Sequence, residues 1–199
     1  MTASAPTSRR PGRPRDTRAD EAILDAAREV LAEVGVARFT VDEVAARASV
    51  GKATIYRRWP SRGALLLDTG HHRLGLQAPD PHTGSVRDDL VIIAGELARK
   101  MRDTPAGKIM PAVLAEAAVD PGMKRVLADF LRDRRRTAVA AVERGIARSE
   151  LPEDVDPEFV LDVLGGFVFF RSQMADRPTT DADVETVVDT VLAGIRVQT

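Results

Sequence analysis

The stretch from Thr40 to Arg62, T-V-D-E-V-A-A-R-A-S-V-G-K-A-T-I-Y-R-R-W-P-S-R, decides the fold. Thr40 followed three residues on by Glu43 has the pattern of a capping box, in which the hydroxyl accepts the Glu43 amide and the carboxylate reaches back to the cap. Phe39 and Val44 are spaced to form a hydrophobic staple across the same cap. Val41, Val44, Ala45 and Ala48 recur at helical spacing and predict an inward face. Ser49-Val50-Gly51 predicts a turn, with Val50 plugging the small core. A second helix is predicted from about Lys52 to Trp59, stopped at Pro60, with Ile55 and Trp59 four apart on its inner face. Ser61 is set to cap a third helix that begins with Arg62.

That arrangement leaves Lys52, Thr54, Tyr56, Arg57 and Arg58 on or near the outer side of a short helix. One apolar edge and many donors suit a groove lined by phosphates and base edges. A helix-turn-helix places its second helix in the major groove of DNA. Thr40 and Arg62 are therefore expected to hold phosphates, and Lys52, Thr54, Tyr56, Arg57 and Arg58 to contact groove and backbone. A capping box alone would be weak evidence, because any amphipathic helical pair with solvated cations can carry one. Cap, staple, turn, short basic helix, proline stop and capped third helix together are far more specific.

Charge supports a division of labour. Residues 1–75 hold 13 Lys and Arg against 9 Asp and Glu, a net of +4, whereas residues 76–199 hold 16 against 21, a net of −5. A basic front and an acidic rear suit a module that meets nucleic acid joined to one that does not. Residues 1–16 carry three prolines and no hydrophobic period, so a disordered basic arm is expected. Arg9, Arg10, Arg13 and Arg15 surround a Gly-Arg-Pro core like that of an AT-hook, and such an arm suits a narrow minor groove. The bland alternative is a solubilising tail.

The absence of Cys excludes thiol catalysis, disulfides and Cys-type zinc sites. No apolar run approaches the ~18 residues of a membrane span, and the N-terminus is too polar for a secretory signal. A soluble cytoplasmic protein is expected.

The remaining periodicity is helical throughout. Thr17 and Asp20 open a helix with core face Ile23, Leu24, Ala27, Val30, Leu31 and Val34, ended by Gly35. The helix after Ser61 runs to about Gly75, and Ala78 to Gly84 is a loop. Further helices are predicted from Ser85 to Thr104, from about Ala106 to Val119, and from about Gly122 to Ser149, the last roughly 40 Å long. Asp156-Pro157 opens another, and Thr180 with Asp183 opens the last. The fold class is all-α: a basic arm (1–16), a three-helix helix-turn-helix DNA-binding domain (17–77) and a helical regulatory and dimerisation domain (78–199).

The last two predicted helices carry more apolar surface than single neighbours can cover. Phe159, Val163 and Gly166 on one, with Val184, Val188, Val191, Leu192 and Ile195 on the other, are candidates for a four-helix bundle with a second copy. Met101, Met110, Phe130, Phe167, Phe169, Phe170 and Met174 are candidates to line a ligand cavity between the central helices, although core packing explains any one of them. His71 and His72 are adjacent, so they point about 100° apart and make a poor metal pair. No metal site and no cofactor is expected. The Arg132-Asp133-Arg134-Arg135-Arg136 run reads as a solvated helix face.

Residues 40–67 resemble the DNA-binding segment of the TetR family of transcriptional regulators. The resemblance is carried by Val44-Ala45, Ala48, Val50, Thr54-Ile55-Tyr56, Trp59, Ser61-Arg62 and Ala64-Leu65, with the upstream helix around Ile23, Leu24, Ala27, Leu31 and Gly35. It covers roughly the first 75 residues, with layout alone similar beyond. Two positions depart: Ser49 stands where the family usually has Gly, and Ala53 where Gly is common. A left-handed backbone at Ser49 would cost about 1 kcal/mol over Gly. The resemblance implies dimerisation through the last two helices, a small molecule held between the central ones, and a homodimer that reads a palindromic operator. The expected function is a sequence-specific DNA-binding regulator, a dimeric repressor released by an unidentified small-molecule effector. The alternatives are a sequence-independent architectural DNA binder, and an enzyme with a helical catalytic domain. The enzyme reading lacks a Cys nucleophile, a Gly-rich phosphate loop, paired His at metal spacing and a Glu-x-x-His pattern.

Overall fold

The computed structural model describes residues 17–73, 79–175 and 177–195. Every regular element among them is a helix: α1 (Thr17–Arg38), α2 (Val41–Arg47), α3 (Lys52–Tyr56), α4 (Arg62–Arg73), α5 (Val86–Asp103), α6 (Pro105–Val119), α7 (Pro121–Ala147), α8 (Pro157–Gln173) and α9 (Asp181–Ile195). The arm with Arg9, Arg10, Arg13 and Arg15 lies outside the described residues.

The starts follow local chemistry. Thr40 and Ser85 accept the amides of Glu43 and Asp88. Asp120 and Asp156 cap α7 and α8, each followed by a proline whose missing N–H costs nothing at that position. Thr180 and Asp183 form both halves of a capping box, with the Asp183 amide 3.2 Å from the Thr180 hydroxyl and the Thr180 amide 2.9 Å from the Asp183 carboxylate. Gly35 breaks α1 at φ 71°, leaving Val36 to Arg38 as a short continuation. Helix α3 ends at Tyr56, short of the Trp59 that its spacing predicts. The amides of Arg58 and Trp59 both bond to the Ile55 carbonyl at 2.9 Å, closing a turn instead of extending α3. Pro60 explains this, since a residue before proline is pushed out of the α region.

Two apolar cores form. The first gathers Ile23, Ala27 and Val30 of α1, Phe39, Val44 of α2, Ile55, Trp59 and Leu65 and Leu66 of α4. It continues into Ile109, Val113 and Ala117 of α6 and Met123 and Leu127 of α7. The second joins α5 and the C-terminal half of α7 to α8 and α9. Close helix crossing is built in at Gly145, where a Cβ would stand 2.7 Å from the Val86 side chain. Thus α6 and α7 touch both the front unit and the rear bundle.

Candidate nucleic-acid interface and effector cavity

The front unit holds α3 by its inner edge. Ile55 is fully buried, Trp59 is nearly so, and the Trp59 Nε1–H donates to the Asp68 carboxylate of α4 at 2.7 Å. The turn before α3 closes with the Val50 amide on the Ala45 carbonyl at 3.0 Å. Ser49 there takes φ 54°, the left-handed conformation. Opposite the anchored edge stand Tyr56, 48% exposed, and an exposed Arg57 that makes no ion pair among the described residues. Thr40 is exposed; its oxygen accepts the Glu43 amide, so its O–H is left to donate. Thr54 is half-buried. Lys52 is exposed and pairs with Asp42 at 2.7 Å, a bond that raises its pKa. An exposed pair of this kind yields readily to a phosphate.

Arg58 and Arg62 are both engaged within the protein. Arg58 turns back, its guanidinium paired with Asp20 of α1 and donating to the Thr54 carbonyl at 3.2 Å. Arg62 donates from Nε to the Phe39 carbonyl at 3.0 Å and from Nη2 to the Val36 carbonyl. Its guanidinium also lies 5.9 Å from the Phe39 ring centroid. Carbonyls orphaned where α1 ends need a donor, and the arginine fork supplies one from α4. Both side chains tie parts of the front unit together, Arg58 joining α1 to the α3 turn and Arg62 joining α4 to the end of α1. Neither partner is readable locally, because Asp20 and Val36 lie far away in sequence.

The link between front and rear is a contact that periodicity does not show. The Glu116 carboxylate of α6 accepts the Gly63 amide at the start of α4 at 2.9 Å. A carboxylate at a helix N-terminus satisfies an open N–H and the helix dipole together. Beside it, the Ser61 hydroxyl, which caps α4 by accepting the Ala64 amide at 3.1 Å, lies 3.3 Å from the Met123 sulfur.

A cavity of about 370 Å³ opens among α5, α6, α7 and α8. Ile93, Leu97, Met110, Leu114, Leu127, Leu131, Leu161 and Phe169 make its apolar walls, with Gly165 and Gly166 leaving room on α8. Of the seven side chains expected there, Met110 and Phe169 line it. Met101 is packed in the second core, and Phe130 packs beside the first under Arg134. Phe167 packs against the second core with Arg171 over its ring, while Phe170 and Met174 are exposed. A helical step of about 100° decides this: it turns Phe169 inward and its neighbours away. The basic run of α7 also divides. Arg132 and Arg136 are exposed in pairs with Asp129 and Asp133, but Arg134 and Arg135 line the cavity.

The two final helices divide their apolar surface unevenly. Phe159, Val163, Gly166, Phe170 and Met174 recur along α8 as an exposed stripe. Of the α9 side chains expected at a dimer face, Val184, Val188 and Leu192 are buried in their own protomer, and Val191 and Ile195 are half-buried against the same core. A helix with one apolar stripe has one face to spend, and α5 takes it. On the exposed side of α9, Thr186 and Thr190 donate their hydroxyls to carbonyls one turn back at 2.7 Å.

His71 is half-buried, and burial followed by the neighbouring His72 pushes its pKa down. His72 sits 3.1 Å from Asp68. Among the described residues no three His, Cys, Asp or Glu side chains are grouped as a metal would need, and no helix is long and apolar enough to cross a membrane.

A small helix anchored by its inner edge, offering hydroxyl and cationic groups outward and braced by a bundle, defines the class of helix-turn-helix DNA-binding regulators. Residues 23–69 match the family described as bacterial regulatory proteins, tetR family, and residues 80–191 match the tetracyclin repressor-like C-terminal domain. The chain belongs to the TetR family of DNA-binding transcriptional regulators. It is 35% identical to the uncharacterized HTH-type transcriptional regulator Rv1556 of Mycobacterium tuberculosis, over 96% of this chain and 92% of that one. It is 31% identical to the DNA-binding transcriptional repressor TetR of Mycobacteroides abscessus, over 86% and 90%. The crystal structure of the TetR family transcription regulator SCO0332 superposes with a TM-score of 0.78 at 30% identity, covering 90% of this chain and all of that one.

Proposed function

We propose that the protein is a homodimeric repressor, acting in the cytoplasm, that leaves a palindromic operator when a small molecule fills the cavity. The observation that carries the reading is the attitude of α3: Ile55 and Trp59 hold it from within, while Tyr56 and Arg57 stand outward. Thr40, Lys52, Tyr56 and Arg57 would contact DNA, with Thr54 at the edge of the contact and Arg58 and Arg62 positioning the unit. Two copies joined along the α8 stripe would set two α3 helices one helical turn of DNA apart.

Coupling would run through α6. Met110 and Leu114 face the cavity, and Glu116, half a turn beyond Leu114, holds the Gly63 amide at the start of α4. A ligand that shifts α6 would tilt α4 and change the spacing of the reading helices. A coupling of about 1–3 kcal/mol alters operator affinity about 5–150-fold. The rear domain then has a regulatory task and no catalytic one.

Footprinting over the promoter of the protein's own gene, with gel-shift titration of Arg57→Ala, tests the reading. Protection of a palindromic site is expected, with affinity lowered by about 1–3 kcal/mol in the variant. Binding without a preferred site and with steep salt dependence would instead indicate an architectural DNA binder. Failure to bind any duplex at low salt would end both.

A further inference from the structure

The end of α1 presents a cation that neither apolar core nor cap uses. Arg38 is exposed in the last turn of α1 and makes no hydrogen bond or ion pair among the described residues. Other cations of the front unit are engaged: Arg47 answers Glu33 at 2.6 Å, Arg58 answers Asp20, and Arg62 holds backbone carbonyls. The backbone around Arg38 is gripped on both sides. Gly35 breaks α1 at φ 71°, and the Arg62 fork then donates to the Val36 carbonyl and, at 3.0 Å, to the Phe39 carbonyl. Phe39, next in the chain, is 2% exposed and fills the first core. Thr40 beyond it is exposed and extended, at φ −133° and ψ 148°. Alternate residues about an extended link share a side, so Arg38 and Thr40 face solvent together while Phe39 faces inward.

The Thr40 oxygen accepts the Glu43 amide, which leaves its O–H to donate beside the Arg38 guanidinium. Lys52 closes the same edge, since its 2.7 Å pair with Asp42 sets the start of α3 against the first turn of α2. A guanidinium fork matches two oxygens of a phosphate, and a hydroxyl can take another. We propose that Arg38 is a DNA-backbone contact of this protein, gripping with Thr40 a phosphate at the edge of the groove that α3 enters. This rests on the reading of α3 as the helix that faces DNA, and adds a residue that fixes how the front unit is set on the duplex. A phosphate contact supplies affinity and salt dependence but no choice of sequence. Its backbone is held in place before DNA arrives, so little ordering is left to pay on binding.

The test uses the full chain and a duplex that the wild-type protein selects from a random-sequence pool, titrated by fluorescence anisotropy at several salt concentrations. Arg38→Ala is expected to reduce the slope of log affinity against log salt by about 0.9 for each copy bound. The sequence selected by that variant is expected to stay the same. Its urea midpoint is also expected to hold, because the side chain is exposed and bonded to nothing described. Arg38→Lys keeps the charge and is expected to retain most of the slope. Arg132→Ala removes another exposed arginine, paired with Asp129 at 2.7 Å on α7, and is expected to leave the slope alone. An unchanged slope in Arg38→Ala overturns the contact. An equal fall in Arg132→Ala overturns it too, since the effect would then belong to the field of the whole molecule. A changed base preference at one position in Arg38→Ala would assign the residue to a base edge and overturn the phosphate grip, with the reading of α3 left standing. Should the wild-type protein select no duplex, the reading of α3 falls together with the contact.

Discussion

Replacing Arg62 separates a brace from a phosphate contact. In the structure its guanidinium donates to the Val36 and Phe39 carbonyls and lies over the Phe39 ring. Arg62→Ala leaves two part-buried carbonyls without their charged donor. Hydrogen bonds to a charged group are worth about 1.5–3 kcal/mol each, and water recovers part of that at a half-buried site, so a loss of about 2–4 kcal/mol is expected. At a urea slope of about 2 kcal/mol per M, the midpoint falls by about 1–2 M. Arg62→Lys keeps the charge but cannot span two carbonyls with one fork, so it should lose most of the same stability. Urea unfolding followed by Trp59 fluorescence measures this, with the salt dependence of operator binding taken in parallel. An arginine engaged on phosphate would instead leave the midpoint unchanged and reduce the salt slope by about one phosphate contact when replaced by Ala. That pair of results would refute the bracing role.

Four further outcomes are expected. Ser49→Gly relieves a serine held at φ 54° and should raise stability by up to about 1 kcal/mol, read as a higher melting temperature. Phe170→Glu, at a position 58% exposed, should leave a folded monomer in sedimentation equilibrium, since like charges meeting across a two-fold interface cost several kcal/mol; a persistent dimer would place the interface elsewhere. Val188→Glu, by contrast, sits in the core and should unfold the protomer. The Arg99 hydrogen bond, against the cost of burial and with help from Lys100, lowers the pKa of Glu96 from the ordinary 4.5 to about 2. A depressed carboxylate pKa stabilises above the unfolded value, and that contribution fades as pH falls from about 4.5 toward about 2. Glu96→Gln should flatten the stability profile within that window.

Local order was legible because its causes lie within a few residues. Thr40 with Glu43, Ser85 with Asp88, Asp156 with Pro157 and Thr180 with Asp183 mark helix starts whose bonds close over two or three positions. The spacing of Ile55 and Trp59 placed the inner edge of α3. The same logic located the all-α class and the outward Tyr56 and Arg57. It could not rank the cations beside them. Arg57, Arg58 and Arg62 are alike in sequence, and the presence of Asp20 and the Val36 and Phe39 carbonyls in space turns two of them inward.

Apolar residues carry the same ambiguity. Periodicity states that Val184, Val188 and Leu192 share a face, but not whether α5 or a second copy covers it. It gives Phe167, Phe169 and Phe170 equal claim to the cavity, and packing of α8 admits Phe169 alone. Arg134 looks like its solvated neighbours until α5 and α8 close over it. Sequence by itself determined where each helix begins, which edge is apolar and which helix can meet DNA, because backbone hydrogen bonds and side-chain period are short-range. Tertiary structure alone decided which charges are spent internally and which surfaces remain open, since burial depends on elements distant in the chain.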